Sequence, residues 1–125
     1  MNNLGTRVSE ATLVDRARAL VPVLRERAEQ ASRDCKVPDE TVRDFREAGF
    51  FRVLQPKRAG GFEMDPEVFY EIQMTLAEGC MSSAWIYGVI AVHNWQLALF
   101  DPKAQGDVWG WDPSTLISSS YQPKD

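Results

Sequence analysis

The chain is poor in the residues that build metal sites and disulfide frameworks. Its 125 residues include one histidine and two cysteines, and Cys35 and Cys80 are far apart in the sequence with no CxxC spacing. A zinc site needs about three or four protein ligands, so we predict no metal site, and the cysteine usage favours a reducing, cytoplasmic location. The longest apolar stretch, residues 85–92, is far shorter than the roughly 20 residues that cross a bilayer. We therefore expect neither a membrane segment nor secretion.

Positive charge is also scarce. Fourteen Lys and Arg residues are outnumbered by eighteen Asp and Glu residues, which gives a net charge of −4. Nucleic acid is bound through clusters of basic residues, so it is not an expected partner. The chain also lacks a GxGxxG motif, a phosphate-binding loop and a GxSxG motif. Its 44% hydrophobic and 26% charged residues are instead typical of one folded domain with its own core.

Hydrophobic spacing predicts an all-α domain. Apolar residues recur at intervals of three and four over residues 9–30, which predicts an amphipathic helix. Pro22 removes a backbone donor from it, so we expect a kink or two abutting helices. A second helix is predicted to begin with Asp39 as its cap and to end at Gly49 in a left-handed conformation. Residues 50–54 then form a short extended or buried connector.

Two further helices are predicted in the middle of the chain. One begins with Asp65 as its cap and stops at Gly79. The next is capped by Ser82 or Ser83 and runs through Leu99. Because this helix is apolar on nearly every face, we expect it to be central and surrounded by other elements.

The C-terminal segment changes character. A short polar helix is predicted over residues 103–109, and residues 116–121 have the composition of a β-strand. A single strand cannot pair with itself, so it is expected to dock on a partner or on another domain. We therefore divide the chain into a helical N-terminal domain, residues 1–113, and the start of a middle β-domain, residues 114–125.

Three features could carry chemistry, and each also has a structural explanation. His93, on the most apolar helix, could exchange a hydrogen bond or proton with a phenol-like hydroxyl, although a core histidine bonded to a carbonyl is commoner. Trp85, Tyr87 and Trp95 could line a flat pocket for an aromatic ligand, although core packing is the commoner explanation. The serine run at residues 118–120 offers hydroxyl and N–H groups to a heterocycle such as a flavin, or is a polar strand edge.

A series of motifs resembles a known family over residues 38–123. The motifs are Pro38-Asp39-Glu40-Thr41-Val42, Gly49-Phe50-Phe51, Leu54-Gln55-Pro56, Gly60-Gly61, Asp65-Pro66, Trp85, Val92-His93-Asn94-Trp95-Gln96-Leu97-Ala98-Leu99-Phe100, Trp109-Gly110-Trp111-Asp112-Pro113-Ser114 and Ser118-Ser119-Ser120-Tyr121. Their order resembles the two-component flavin monooxygenases of the acyl-CoA dehydrogenase fold.

The resemblance implies a fold and an activity. Such enzymes have a helical N-terminal domain, a middle β-domain and a C-terminal four-helix bundle, and they assemble as homotetramers. A separate reductase supplies reduced flavin, FMNH2 or FADH2, dioxygen is the co-substrate, and a phenol is hydroxylated next to its hydroxyl group. The substrate this resemblance implies is a secosteroid phenol of sterol degradation. The flavin carries the redox chemistry, and the protein orients the substrate and excludes water.

The resemblance also assigns roles to individual residues. It implies that Trp85, Ser118, Ser119 and Ser120 contact the flavin, that His93 is a catalytic and substrate-binding residue, and that Ser83, supported by Ser82, lines the substrate side. After Tyr121 the chain departs from the family pattern. Further flavin contacts would lie beyond Asp125, so these 125 residues alone are expected neither to bind flavin tightly nor to turn over.

Two other functions remain open from the sequence. An acyl-CoA dehydrogenase-like flavoenzyme would share the fold, but the His93-Asn94-Trp95 helix matches the hydroxylases better. A non-catalytic helical module could instead bind a partner by adding its strand to the partner's sheet.

Overall fold

Five α-helices account for most of the chain in the computed structural model, which describes residues 8–120, 122 and 124. They are α1 (Glu10–Asp34), α2 (Asp39–Ala48), α3 (Pro66–Ala77), α4 (Met81–Leu97) and α5 (Pro102–Trp109). Two short 3-10 helices, Phe50–Arg52 and Lys57–Ala59, lie between α2 and α3. The predicted all-α class is confirmed over this described part of the chain. None of its helices is long and apolar enough to cross a membrane.

The first helix is longer than predicted and continuous. It begins after Ser9, whose hydroxyl accepts a hydrogen bond from the Thr12 N–H at 3.1 Å, and it passes through Pro22 without a break. The alternative of two abutting helices is therefore wrong. Leu13 and Leu24, on either side of the proline, are both buried, and this packing holds the two halves in one helix despite the missing backbone donor.

The helices begin and end close to the predicted residues, but the predicted side-chain capping interactions are not formed. Gly49 ends α2 with φ +85°, as expected of a left-handed C-terminal residue. Pro38 is the cap of α2 and Asp39 is its first residue, with its carboxylate 2.9 Å from the Lys36 ammonium. This ion pair lowers the pKa of Asp39 from its ordinary value. Asp65 holds the cap position of α3, but its side chain accepts no capping bond.

The start of α4 also differs from the prediction. Cys80 is the capping residue and Met81 is the first helical residue, so neither Ser82 nor Ser83 is the cap. Both serines lie in the first turn, and no side-chain capping bond is recorded there.

The core is an aromatic cluster around Tyr87. Its ring is fully buried on α4. Four rings from α2, the first 3-10 helix and α3 lie with centroids 5.4 to 6.0 Å from it, and these belong to Phe45, Phe50, Phe51 and Phe69. These contacts fix one face of α4, and with it the direction in which the opposite face points.

That opposite face of α4 is apolar and exposed. Met81, Trp85, Trp95 and Leu99, at or near this helix, are all solvent-accessible. The expectation that α4 is surrounded is therefore wrong for the described residues. α1, α3 and the first 3-10 helix pack against α4, and together they cover its inner side only.

The predicted strand is not formed. Residues 116–120 carry no regular secondary structure, and Tyr121 lies outside the described residues. A strand requires a neighbour with unpaired backbone groups, and none of the described elements offers one. The assignment of residues 114–125 to a separate β-domain stays a prediction.

Removing the cap of α5 tests the helix-end assignments. The Asp101 carboxylate accepts a hydrogen bond from the Lys103 N–H at 2.8 Å. We expect Asp101→Ala to lower the free energy of opening of the α5 amides by about 1 kcal/mol, measured by hydrogen exchange. Asp65→Ala is the matched control, because that aspartate makes no capping bond. An equal loss of protection in α3 and α5 would contradict the assignment.

Candidate functional site

His93 is a buried histidine joined to the C-terminal segment. It is 5% exposed on α4, and its Nδ1 lies 2.5 Å from the Val89 carbonyl one turn earlier. Its Nε2 lies 2.6 Å from the Ser119 hydroxyl. A carbonyl can only accept, so in the neutral ring Nδ1 carries the proton and Nε2 is the acceptor of the Ser119 O–H bond. The helix thus fixes the tautomer and turns an acceptor nitrogen toward the segment that carries Ser119.

The segment before Ser119 is tied to the helical body. The Asp112 carboxylate accepts hydrogen bonds from the Ser114 hydroxyl at 2.7 Å and the Ser114 N–H at 2.8 Å, which lower the pKa of Asp112. Arg46 of α2 donates to the Ser114 carbonyl at 2.9 Å. Gln55 donates to the Pro113 carbonyl at 2.7 Å. These bonds hold residues 113 and 114 against the helices. They therefore determine the point from which the backbone continues to Ser119, the residue that contacts His93.

Trp85 lies in an open cleft between the end of α1 and the start of α4. The tryptophan is 66% exposed, and the cleft has a volume of about 680 Å³. Its lining is mainly apolar and includes Ala31, Val37, Met81, Ser82 and Ile86. Trp85 precedes His93 on α4 by eight residues, which corresponds to roughly 12 Å along the helix axis.

The structure brings together only some of the predicted site residues. His93 and Ser119 are in contact. Ser118 and Ser120 are exposed nearby in sequence, and the Ser120 hydroxyl accepts a bond from the Gln122 N–H at 3.2 Å. Ser83 is 2% exposed on the inner side of α4, whereas its neighbour Ser82 lines the cleft. The substrate-binding role of Ser83 stays a prediction.

The exposed groups suit a flat heterocycle. Trp85 presents an aromatic ring, and a planar ligand can stack on such a ring. Within residues 116–120, no backbone N–H or C=O is bonded to the backbone of another described residue. An amide-rich ring edge, such as that of a flavin, could use these groups together with the hydroxyls of the serine run. The predicted flavin contacts, Trp85, Ser118, Ser119 and Ser120, stay a prediction.

The described residues contain no group of three or more His, Cys, Asp and Glu side chains that could hold a metal ion.

Two buried polar residues were missed by the sequence analysis. Gln55 is 2% exposed, and Asn94 donates from Nδ2 to the Phe51 carbonyl at 2.5 Å. The Oδ1 atom of Asn94 has no hydrogen-bond partner among the described residues. The available signal was the position of each amide: Gln55 stands between an apolar run and a proline, and Asn94 lies within an apolar helix.

The fold agrees with comparisons to known proteins. Residues 9–109 match the family described as acyl-CoA dehydrogenase, N-terminal domain. The chain belongs to this family. The helical N-terminal domain predicted from the resemblance is therefore confirmed.

Relatives within this acyl-CoA dehydrogenase family include named monooxygenases. The flavin-dependent monooxygenase, oxygenase subunit HsaA, of Mycobacterium tuberculosis is 51% identical over 105 residues, which is 83% of this chain and 26% of the relative. The oxygenase component of p-hydroxyphenylacetate 3-hydroxylase of Acinetobacter baumannii is 34% identical over 116 residues, or 93% of this chain and 28% of the relative. The predicted resemblance to flavin monooxygenases of this fold is confirmed.

A solved structure supports the same family assignment. The crystal structure of 3-HSA hydroxylase from Rhodococcus sp. RHA1 superposes with a TM-score of 0.87 and 46% sequence identity, covering 90% of this chain and 29% of that protein. The chain therefore spans less than a third of the length of the relatives that it matches.

Proposed function

We propose that this chain is the N-terminal part of the oxygenase component of a two-component flavin-dependent monooxygenase that hydroxylates a phenol. The observation that carries the proposal is the His93–Ser119 pair, an oriented acceptor nitrogen with a hydroxyl at 2.6 Å. Trp85 and Trp95 are exposed on the same helix as His93. Relatives named as oxygenase subunits and components of flavin-dependent and hydroxyphenyl-directed enzymes support this function.

The pair is suited to recognise a phenolic hydroxyl. In the structure, Nε2 of His93 accepts the Ser119 O–H. A phenol that displaces this bond can donate its own O–H to Nε2, because Val89 holds the proton on Nδ1, and the released Ser119 hydroxyl can donate to the phenol oxygen. Withdrawing the phenolic proton raises the electron density on the neighbouring ring carbon. That carbon is the position that an ortho-hydroxylase must make nucleophilic.

Reduced flavin, when bound, supplies the electrons for activating dioxygen. The contribution of this chain would be to bind and orient the flavin: Trp85 would offer its ring for stacking, and the Ser118 and Ser120 hydroxyls, with the Ser119 N–H, would be available to its polar edge. Ser83 supports the substrate side from within α4. The proposal includes a separate flavin reductase, a homotetrameric full-length enzyme in the cytoplasm, and a secosteroid phenol as substrate.

Flavin binding by the full-length protein tests the proposal. We expect FMNH2 or FADH2, titrated anaerobically, to bind with micromolar or better affinity and, after aeration with a phenol, to yield the ortho-hydroxylated product by mass spectrometry. Trp85→Ala should weaken flavin binding about tenfold, because one ring-stacking contact is worth roughly 0.5 to 1.5 kcal/mol beyond its buried area.

Trp111→Ala is the matched control, since this tryptophan is almost fully exposed and lies outside the proposed site. Acyl-CoA oxidation without phenol hydroxylation would favour the dehydrogenase alternative. Failure of the full-length protein to bind either flavin would contradict both enzymatic functions and favour the interaction module.

A further inference from the structure

We propose that Gln55 is a positioning residue for the His93–Ser119 pair. Its buried amide anchors the backbone six residues before Ser119 and so determines whether the serine hydroxyl reaches His93. The functional consequence rests on the proposed phenol hydroxylation, whereas the positioning itself can be tested without flavin or substrate.

The anchor is a long-range, partly buried hydrogen bond between a buried side chain and an exposed proline. Gln55 is 2% exposed, and its Nε2 donates to the Pro113 carbonyl, 58 residues later, at 2.7 Å. Pro113 has no N–H, so this carbonyl is the only backbone hydrogen-bonding group that the residue offers. Breaking this bond would leave the buried Gln55 amide without a partner. The energetic cost of doing so favours the one position of Pro113 in which the bond is made.

Gln55 is itself held in place by the loop that carries it. Its carbonyl accepts the Glu63 N–H at 3.0 Å, and the Val53 carbonyl accepts the Met64 N–H at 2.9 Å. A Cβ atom on Gly61 would lie only 2.0 Å from the Gln55 carbonyl oxygen, so this close approach requires glycine. The backbone of Gln55 is therefore held within a hydrogen-bonded loop. Its side chain binds the segment at Pro113 from a defined position.

The segment beyond the anchor has few other constraints. Leu116 packs against the core, but residues 116–120 make no backbone–backbone hydrogen bonds with described residues. Arg46 also donates to the Ser114 carbonyl at 2.9 Å and to its hydroxyl at 3.1 Å, but these bonds are exposed and in competition with water. The Gln55 bond is partly buried, so it is the stronger determinant of where the six residues from Ser114 to Ser119 begin.

The single histidine of the chain provides a direct readout. In protein labelled with 15N-histidine, every imidazole signal belongs to His93, and its Nε2 chemical shift reports the bond from Ser119. Ser119→Ala gives the reference shift for the broken bond. We expect Gln55→Met to move the Nε2 shift most of the way to that reference, while the far-ultraviolet circular dichroism stays that of the folded chain.

Gln105→Met is the matched control. Gln105 also donates its amide to a backbone carbonyl, that of Phe100 at 2.8 Å, but it has no bond to the segment that carries Ser119. Its substitution should leave the His93 shift unchanged. A folded Gln55→Met variant with a wild-type His93 shift would overturn the proposal.

A milder variant separates positioning from a general structural role. Gln55→Asn keeps the amide but shortens its reach by one methylene, so we expect a folded protein with an intermediate shift. An unfolded Gln55→Asn would also overturn the proposal, because the residue would then be required for the core itself. In the full-length enzyme, Gln55→Met should lower kcat/KM for the phenol about 10- to 100-fold with unchanged flavin affinity.

The two kinds of failure remain distinguishable. If the full-length protein hydroxylates no phenol but the His93 shift responds to Gln55→Met, the proposed function fails and the positioning role stands. If hydroxylation occurs and neither the shift nor kcat/KM responds, the positioning role fails alone.

Discussion

Replacement of His93 by alanine is expected to lower kcat/KM for phenol hydroxylation by the full-length oxygenase about 10²- to 10⁴-fold. The reason is the loss of the only imidazole of this chain, whose acceptor nitrogen is directed at Ser119 by the bond from Nδ1 to Val89. Steady-state kinetics with reduced flavin in excess measure the effect.

A second substitution at the same position separates two roles of the imidazole. His93→Gln keeps an acceptor close to the position of Nε2 but cannot take up a proton near neutral pH. We expect this variant to recover substrate binding, seen as a nearly normal KM, while kcat stays low. If His93→Ala retains kcat/KM within about threefold of the wild type, the proton-transfer effect of this group is absent and the proposed role is wrong.

The local features of the fold were the predictable ones. Gly49 was expected to be left-handed because a helix end needs a residue that tolerates positive φ, and the structure has φ +85° there. A short helix was expected over residues 103–109, and α5 begins one residue earlier, at Pro102, with Asp101 as its cap. Such features depend on a few neighbouring residues, so the sequence contains the whole signal.

Caps and exposure were less predictable because residue type and spacing do not decide them alone. Asp39 was expected to cap α2, but Pro38 is the cap, and the Asp39 carboxylate pairs with Lys36. The apolar composition of α4 predicted full burial, although its outer face remains exposed in the described part of the chain. Composition specifies that a face must be covered, but it does not say whether the cover lies within the same 125 residues.

In the candidate site, too, the local contact was predictable and the long-range contact was not. His93 was singled out with two alternatives, a core histidine bonded to a carbonyl and a group that binds a phenol. The structure shows the carbonyl bond to Val89 and also the contact with Ser119, so the first arrangement orients the ring for the second. No spacing rule predicts the Ser119 contact, because it is set by bonds from Gln55 and Arg46 to residues 58 and 68 positions later.

Replacement of Tyr87 by alanine is expected to lower the free energy of unfolding by about 3–5 kcal/mol. The ring is fully buried, and four aromatic rings from three other elements surround it, so the substitution leaves a cavity where α4 meets α2 and α3. Small domains are stable by roughly 5–15 kcal/mol, so the variant should be close to unfolding. Urea denaturation followed by circular dichroism measures the change.

Tyr87→Phe is the control that separates the ring from its hydroxyl. The hydroxyl donates to the Phe50 carbonyl at 3.4 Å, a long bond whose loss should cost about 1 kcal/mol or less. Equal destabilisation by the two substitutions would show that the hydroxyl dominates and would contradict the packing explanation.

The pH dependence gives an independent check on the same hydroxyl. Burial raises the pKa of Tyr87 above its ordinary value of 10.0, because the phenolate cannot be solvated in the core. A raised pKa in the folded state means that the contribution to stability is complete below pH 10.0 and is lost as the pH rises above it. Tyr87→Phe should therefore unfold less steeply with alkali than the wild type. If both respond equally, the Tyr87 hydroxyl ionises as freely in the folded chain as in the unfolded one, and the core around α4 is open to water.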